Sequence, residues 1–197
     1  MASEPDSIET LVLLLKERDP DALKRIVQEN SRPLYRAARA MSFSHEESED
    51  LVQDVLTTFL ETLDRFEGRS RLRTWLFGIL HNKVHERRRQ HYRDLQNDPI
   101  DEVFESRFDA RGEWIRPPKG PDQAVTLKEI AAALDRCLEG LPAAQKEVFV
   151  LREMEGFETP EICKILGVTA TNMSVLMHRA RIRLRECMER RGWRNAP

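Results

Sequence analysis

Little in this 197-residue chain supports catalysis or a cysteine framework. Its three cysteines, Cys137, Cys163 and Cys187, are an odd number at wide spacing, with no CxxC pair. That pattern argues against a disulfide scaffold or a cysteine-based zinc site, and reads as three small buried hydrophobes. The longest apolar run near the N-terminus is Leu11-Val12-Leu13-Leu14-Leu15. It is far too short to span a bilayer, and neither a basic flank nor a small-residue cleavage site frames it as a secretory signal. A cytoplasmic protein without membrane insertion is therefore expected. GxSxG, the phosphate-binding P-loop and GxGxxG are all missing, and no nucleophile is paired with a base. An enzyme is not expected, so neither catalytic residues nor a cofactor are assigned.

A net charge of -2 would seem to exclude a polyanionic partner. The distribution of charge says otherwise. Residues 1–65 carry -6, residues 66–93 carry +6, residues 94–139 carry -5, residues 140–162 carry -3 and residues 163–197 carry +6. Two compact basic islands sit in an acidic chain, an asymmetry expected of nucleic-acid binding that the total conceals.

Strand signals are nearly absent, whereas helical periodicity and cap chemistry recur. Ser7 can cap a first helix. Asp19-Pro20 reads as N-cap plus proline at the first helical position, opening a helix toward Asn30, and Leu34 to Met41 continues helically after Pro33. Ser44 with Glu47 forms a capping box for a helix to about Asp64. A loop over 66–72 precedes a long helix from about Thr74 to Gln90. Residues 92–124 contain Pro99, Gly112, Pro117, Pro118, Gly120 and Pro121 among many acids, and read as a linker with a helical turn around 100–108. Thr126 with Glu129 is a second capping box, for a helix ending at Gly140. Pro142 opens a helix to about Gly156, Thr159-Pro160 one to Gly167, and Thr169 caps the last, to about Arg191. The expected fold is all-α: two small helical domains, 1–91 and 125–197, joined by a flexible acidic linker at 92–124.

Residues 162–176 have helix-turn-helix spacing. Gly167 stands at the turn, Ile162 and Leu166 precede it, and Val168, Met173 and Leu176 follow, with Cys163 where the helices touch. At 100° per residue, Met173, Leu176, Met177, Ala180, Leu184, Cys187 and Met188 share one arc, the expected core stripe. Thr171, Ser174, Val175, His178 and Arg179 lie opposite and would enter a major groove. Arg181, Arg183 and Arg185 are better placed for phosphates. An ordinary helical hairpin with a basic solvated face is the plainer reading of the same residues.

In the first island, Phe66-Glu67-Gly68-Arg69-Ser70-Arg71-Leu72 leads into a helix carrying Asn82, Lys83, Arg87, Arg88 and Arg89. Aromatics among arginines suit stacking on unpaired bases. Trp75 and Phe77, however, fit the apolar stripe of Leu72, Leu76, Ile79 and Leu80 and are expected in the core, leaving the polar loop residues to read bases. Upstream, acids load the start of the helix from Ser44. The helix dipole accounts for those in the first turn. It does not account for Asp50, Gln53 and Asp54, which share one face and suit protein docking. His81 and His85 have i, i+4 chelating spacing, but no HExxH surrounds them and arginines fill the next turn, so no metal is expected there.

These segments together resemble a bacterial RNA polymerase sigma factor of the extracytoplasmic-function (ECF) group. Glu49-Asp50-Leu51-Val52-Gln53-Asp54-Val55 resembles the family's helix that docks on the clamp coiled coil of the polymerase β′ subunit. Phe66-Glu67-Gly68-Arg69-Ser70 with Arg73-Thr74-Trp75-Leu76 resembles its promoter-melting segment. Leu141 to Phe149, Glu161-Ile162, Leu166-Gly167-Val168 and His178 to Arg181 resemble its C-terminal helix-turn-helix. The resemblance implies a factor that binds core RNA polymerase, at the β′ clamp and the β flap, and directs initiation at promoter DNA. Asp50, Leu51, Gln53 and Asp54 would hold the polymerase. Glu67, Arg69, Ser70 and Arg71 would capture a flipped base of the -10 element, with Asn82, Lys83 and Arg87 on the neighbouring strand. Thr171, Ser174, Val175, His178, Arg179 and Arg181 would read the -35 element. An anti-sigma factor is the implied regulator.

The chain departs from the family at Ser174, where many members carry Arg or Lys, at Thr159-Pro160 in place of Tyr-Glu, and in the linker with Trp114 and Pro117-Pro118. Two other classes compete. A self-sufficient helix-turn-helix regulator with an N-terminal sensor would leave the acidic docking face unexplained. A metal hydrolase would have to be built on His81 and His85.

Overall fold

The computed structural model describes residues 8–91 and 127–192, and all regular structure among them is helical. The N-terminal unit contains α1 (Ile8–Lys16), α2 (Pro20–Ala40), α3 (His45–Glu61) and α4 (Leu72–His91), with a short 3-10 turn at Leu63–Arg65. The C-terminal unit contains α5 (Leu127–Glu139), α6 (Ala143–Phe149), α7 (Thr159–Leu166) and α8 (Ala170–Arg190). Ser7, Thr126 and the linker at 92–124, with its expected turn at 100–108, lie outside the described residues.

Local chemistry explains most boundaries. Asp19 caps α2 by accepting from Ala22 N–H at 2.7 Å. Ser44 and Glu47 form the reciprocal capping box at the start of α3. Helix α2 continues through Pro33 to Ala40 as one element. The proline removes one backbone donor. Asn30 and Ser31 each donate a side-chain hydrogen bond one turn back, to the carbonyls of Ile26 and Val27. Buried Leu34, Ala37 and Ala38 then hold the second half of the helix on the core. The helix from Pro142 ends in a π turn at Val150–Met154, and Gly156 reverses the chain at φ +70°. Helix α7 starts at the expected cap, Thr159, and its N-cap is the preceding residue, Glu158, in a capping box with Glu161.

Between α7 and α8 the turn is Gly167-Val168-Thr169. Gly167 has φ +67° and ψ 30°, the left-handed region, and Thr169 caps α8 by accepting from Asn172 N–H. Space is not limiting at Gly167, since an added Cβ would meet nothing within 4 Å. Conformation is. Gly167→Ala is expected to lower stability by about 1–2 kcal/mol, measured by urea unfolding.

Core residues Leu51, Val55, Phe59, Leu63, Leu76, Leu80 and Val84 are fully buried between α3 and α4. This core does not stop at the domain boundary. It continues through Phe77 to Phe157, whose ring centroids lie 4.8 Å apart, and on to Val148, Leu151 and Ile162. The two units, expected as two domains joined by a linker, are packed against each other. Phe77 is core as expected. Trp75 is only partly buried, stacked on Phe66 with centroids 4.9 Å apart.

A second cluster of Ala133, Leu138, Leu141, Ala180, Leu184 and Met188 joins α5 to α8. Here the sequence expectation fails. Cys137 and Cys187 form a disulfide, with Cα atoms 5.7 Å apart across a sequence separation of 50. Wide spacing along the chain says nothing about distance between helices that pack side by side. Cys163 is free and partly buried, as expected of a small hydrophobe.

Candidate nucleic-acid interface

Helix α8 presents the face its periodicity requires. Met173, Met177, Ala180, Leu184 and Met188 are buried, joined by Ile182, which the helical wheel did not single out. Thr171, Ser174, Val175, His178, Arg179 and Arg181 are all exposed. Ser174 Oγ donates to the Ala170 carbonyl, and Arg181 pairs with Glu153 at 2.6 Å. The first half of this face is solvent-exposed. Its arginine end is braced on the π turn.

The loop before α4 is engaged across the domain seam. Arg69 pairs with Glu67 within the loop, and its carbonyl accepts from Lys164 at 3.2 Å. Arg71 lies 3.9 Å from Glu161, and Thr74 Oγ1 donates to Glu161 at 2.9 Å. Arg73 reaches deeper. It donates to the Glu155 carbonyl at 2.7 Å and to the Glu155 carboxylate, over the faces of Phe77 and Phe157. Arg36 of α2 takes the other oxygen of that carboxylate at 3.3 Å. The Glu155 side chain is fully buried, so its charge depends on these two guanidiniums. Ser70 is partly buried, Asn82 is exposed and Lys83 is partly buried. Asn82 shares a cleft with Trp75, His81, Lys164 and Gly167, so the helix-turn-helix glycine faces the proposed -10 helix.

The acidic face of α3 differs in detail from the expectation. Gln53 is exposed. Leu51, expected among the docking residues, has no exposed surface and anchors the helix to the core beneath the acidic face. Arg87, read from sequence as a DNA contact, reaches back to α3. It donates to Asp54 at 2.7 Å and to the Glu47 carbonyl at 3.2 Å, and lies 3.9 Å from Asp50. Residues assigned to two partners therefore neutralise one another within the N-terminal unit.

A further polar cluster lies where α4 meets α6. Glu147 faces His81 and His85, and Arg88 takes its other oxygen at 3.3 Å. Burial pushes the Glu147 carboxyl up, but close contacts with both histidines outweigh it and hold it down at about 2. Next to it, burial and the Arg88 charge lower Lys146 to about 8, against the pull of Glu139. Its ammonium donates to Ser42 at 2.6 Å. Sequence reading missed Arg36, Lys146, Glu147 and Glu155. Buried charge is invisible until the units pack. The one signal was the acidic balance of residues 140–162 opposite the basic α4.

Taken together these features define a two-unit helical DNA-binding protein whose second unit carries a helix-turn-helix. Sigma-70 region 2 matches residues 26–94, and Sigma-70, region 4 matches residues 126–184. The chain belongs to the sigma-70 family, as a sigma factor of the ECF type that directs transcription initiation at promoters. It is 30% identical to the ECF RNA polymerase sigma factor SigX of Bacillus subtilis, covering 79% of this chain and 78% of the relative. Against the ECF RNA polymerase sigma factor EcfG of Rhodopseudomonas palustris, identity is 31% over 75% of this chain and 74% of the relative. The sigma factor RpoE of Bartonella quintana, solved in complex with the anti-sigma factor NepR, superposes with a TM-score of 0.64 at 29% identity. It covers 84% of this chain and 96% of that one. Among the described residues, no helix is long and apolar enough to cross a membrane.

Proposed function

We propose that the exposed face of α8, Thr171, Ser174, Val175, His178 and Arg179, reads the -35 element, with Arg181 on the flanking phosphates. The observation that carries this is the exposure of all six residues opposite a face on which Met173, Met177, Ala180, Leu184 and Met188 are buried and Leu176 and Cys187 partly so. The loop Glu67–Arg71, with Asn82 and Lys83, reads and melts the -10 element. Base capture costs a few kcal/mol of unstacking, which the loop must recover. Because that loop here contacts α7, the packed arrangement is a resting form, and promoter opening requires the two units to part. Arg87 braces α3 onto α4 and so positions both surfaces.

Asp50, Gln53 and Asp54 form the docking face for the β′ clamp of core polymerase, and the C-terminal unit meets the β flap. The domain division is 1–91, 92–124 and 125–197. An anti-sigma factor holds the chain inactive, a reading supported by the bound partner in the Bartonella relative. The chain performs no catalysis of its own.

Arg179→Ala is expected to weaken recognition of the cognate promoter by about 1–3 kcal/mol, the worth of one bidentate base contact. Competitive binding of holoenzyme to cognate and shuffled -35 sequences measures it. Equal loss on both sequences would make Arg179 a phosphate contact.

A further inference from the structure

We infer that His81, His85 and Glu147 form a binding site for one divalent transition-metal ion, zinc by ligand type, that clamps the two units together. His81 and His85 stand one helical turn apart on α4, with ring centroids 4.3 Å apart. Glu147 comes from α6, in the other unit. One ligand atom from each of the three lies within 4.8 Å of the others.

The distances from the carboxylate to each histidine are those of a coordination shell. Two ligands about 2.0–2.1 Å from a tetrahedral zinc stand roughly 3.3–3.4 Å apart. Glu147 Oε2 lies 3.4 Å from His81 Nδ1 and 3.2 Å from His85 Nε2. His81 Nδ1 is buried and makes no hydrogen bond, although it points at a carboxylate. Its contact with Glu147 at 3.4 Å is not an aligned hydrogen bond, and a bound ion bridges the two groups. Arg88 holds the opposite oxygen, Oε1, and so aims Oε2 at the histidines. Two imidazoles and one carboxylate leave a fourth position for water. The half-exposed side chain of His85 leaves a route in from solvent.

No HExxH pattern accompanies the histidine pair in the sequence. The third ligand lies 62 residues beyond His85, on a helix that only domain packing brings near. Since the ligands come from both units, the ion favours the packed form. Metal binding itself does not depend on the promoter-reading assignments. The clamp rests on the proposal that the packed form is the resting one.

Zn2+ titration by calorimetry tests the site, using the full oxidised chain with Cys163→Ala so that no free thiolate competes. The expected result is one ion per chain. His85→Gln and Glu147→Gln should each weaken binding by at least about tenfold. His45→Gln, an exposed histidine on α3, should leave it unchanged. The half-exposed His85 is the variant least disturbing to the fold, and melting curves verify it. Failure to bind one ion, or wild-type affinity in His85→Gln, overturns the site. For the clamp, Zn2+ should reduce the radius of gyration of the Arg73→Ala chain in X-ray scattering, and not when His85→Gln is also present. Stoichiometric binding without compaction overturns the clamp and leaves the promoter-reading proposal untouched.

Discussion

Arg73→Ala is expected to separate the two units while each stays folded. The variant removes two hydrogen bonds to Glu155 and the cation that covers Phe77 and Phe157. Glu155 would remain fully buried with Arg36 alone, at 3.3 Å. Stranding a buried charge typically costs about 3–5 kcal/mol. Arg36 remains and the Arg73 side chain is 38% exposed, which brings the expected loss to about 2–3 kcal/mol. That loss falls on the contact between the units, because each retains its own helices and most of its own core. Small-angle scattering should show a larger radius of gyration, with unchanged helicity by circular dichroism. Opening also frees Arg71 and Thr74 from Glu161, so binding to a melted -10 strand should strengthen. An unchanged radius with weakened helicity would place Arg73 in the fold of its own unit.

Cys187→Ser is expected to lower the stability of the C-terminal unit. The bond to Cys137 closes a loop across 50 residues. Loop-closure entropy puts the stabilisation from a loop of that length at about 4 kcal/mol, and native bridges usually deliver about 2–4 kcal/mol. The α5–α8 cluster buries four large side chains, Leu138, Leu141, Leu184 and Met188, with Ile130, Leu134 and Phe149 partly buried against them, and the bridge adds to that cohesion. Urea unfolding with and without reductant measures the difference. Wild-type protein in reductant should match the variant, which separates the loss of the bond from any effect of the serine. A variant as stable as oxidised wild type would show that packing alone holds α5 to α8.

Local chemistry was legible where one residue and its near neighbours decide the outcome. Ser44 and Glu47 specify the start of α3 because both partners of the capping box lie within one turn. Gly167 specifies the turn because a left-handed backbone is open to glycine above other residues. The recognition face of α8 followed from periodicity, since Met173, Met177, Ala180, Leu184 and Met188 fall on one stripe. Pro33 leaves α2 unbroken because buried Leu34, Ala37 and Ala38 hold the helix beyond it on the core. The Cys137–Cys187 bridge, the Arg73–Glu155 pair and the His81–His85–Glu147 cluster each join residues 50 or more apart in sequence. Nothing local encodes them. Leu51 shows the opposite limit: its motif resemblance was clear, but only burial separates an anchor under a face from a contact upon it.

Run-off transcription with purified core polymerase on fragments of the native genome tests the functional account most directly. The chain should convert non-specific core polymerase into one that starts at defined sites. Asp54→Ala should reduce initiation by weakening polymerase binding, and Arg179→Ala should reduce it by changing which promoters are used. Specific DNA binding by the chain alone, with no specific initiation when core polymerase is added, would contradict the account and favour a self-sufficient helix-turn-helix regulator.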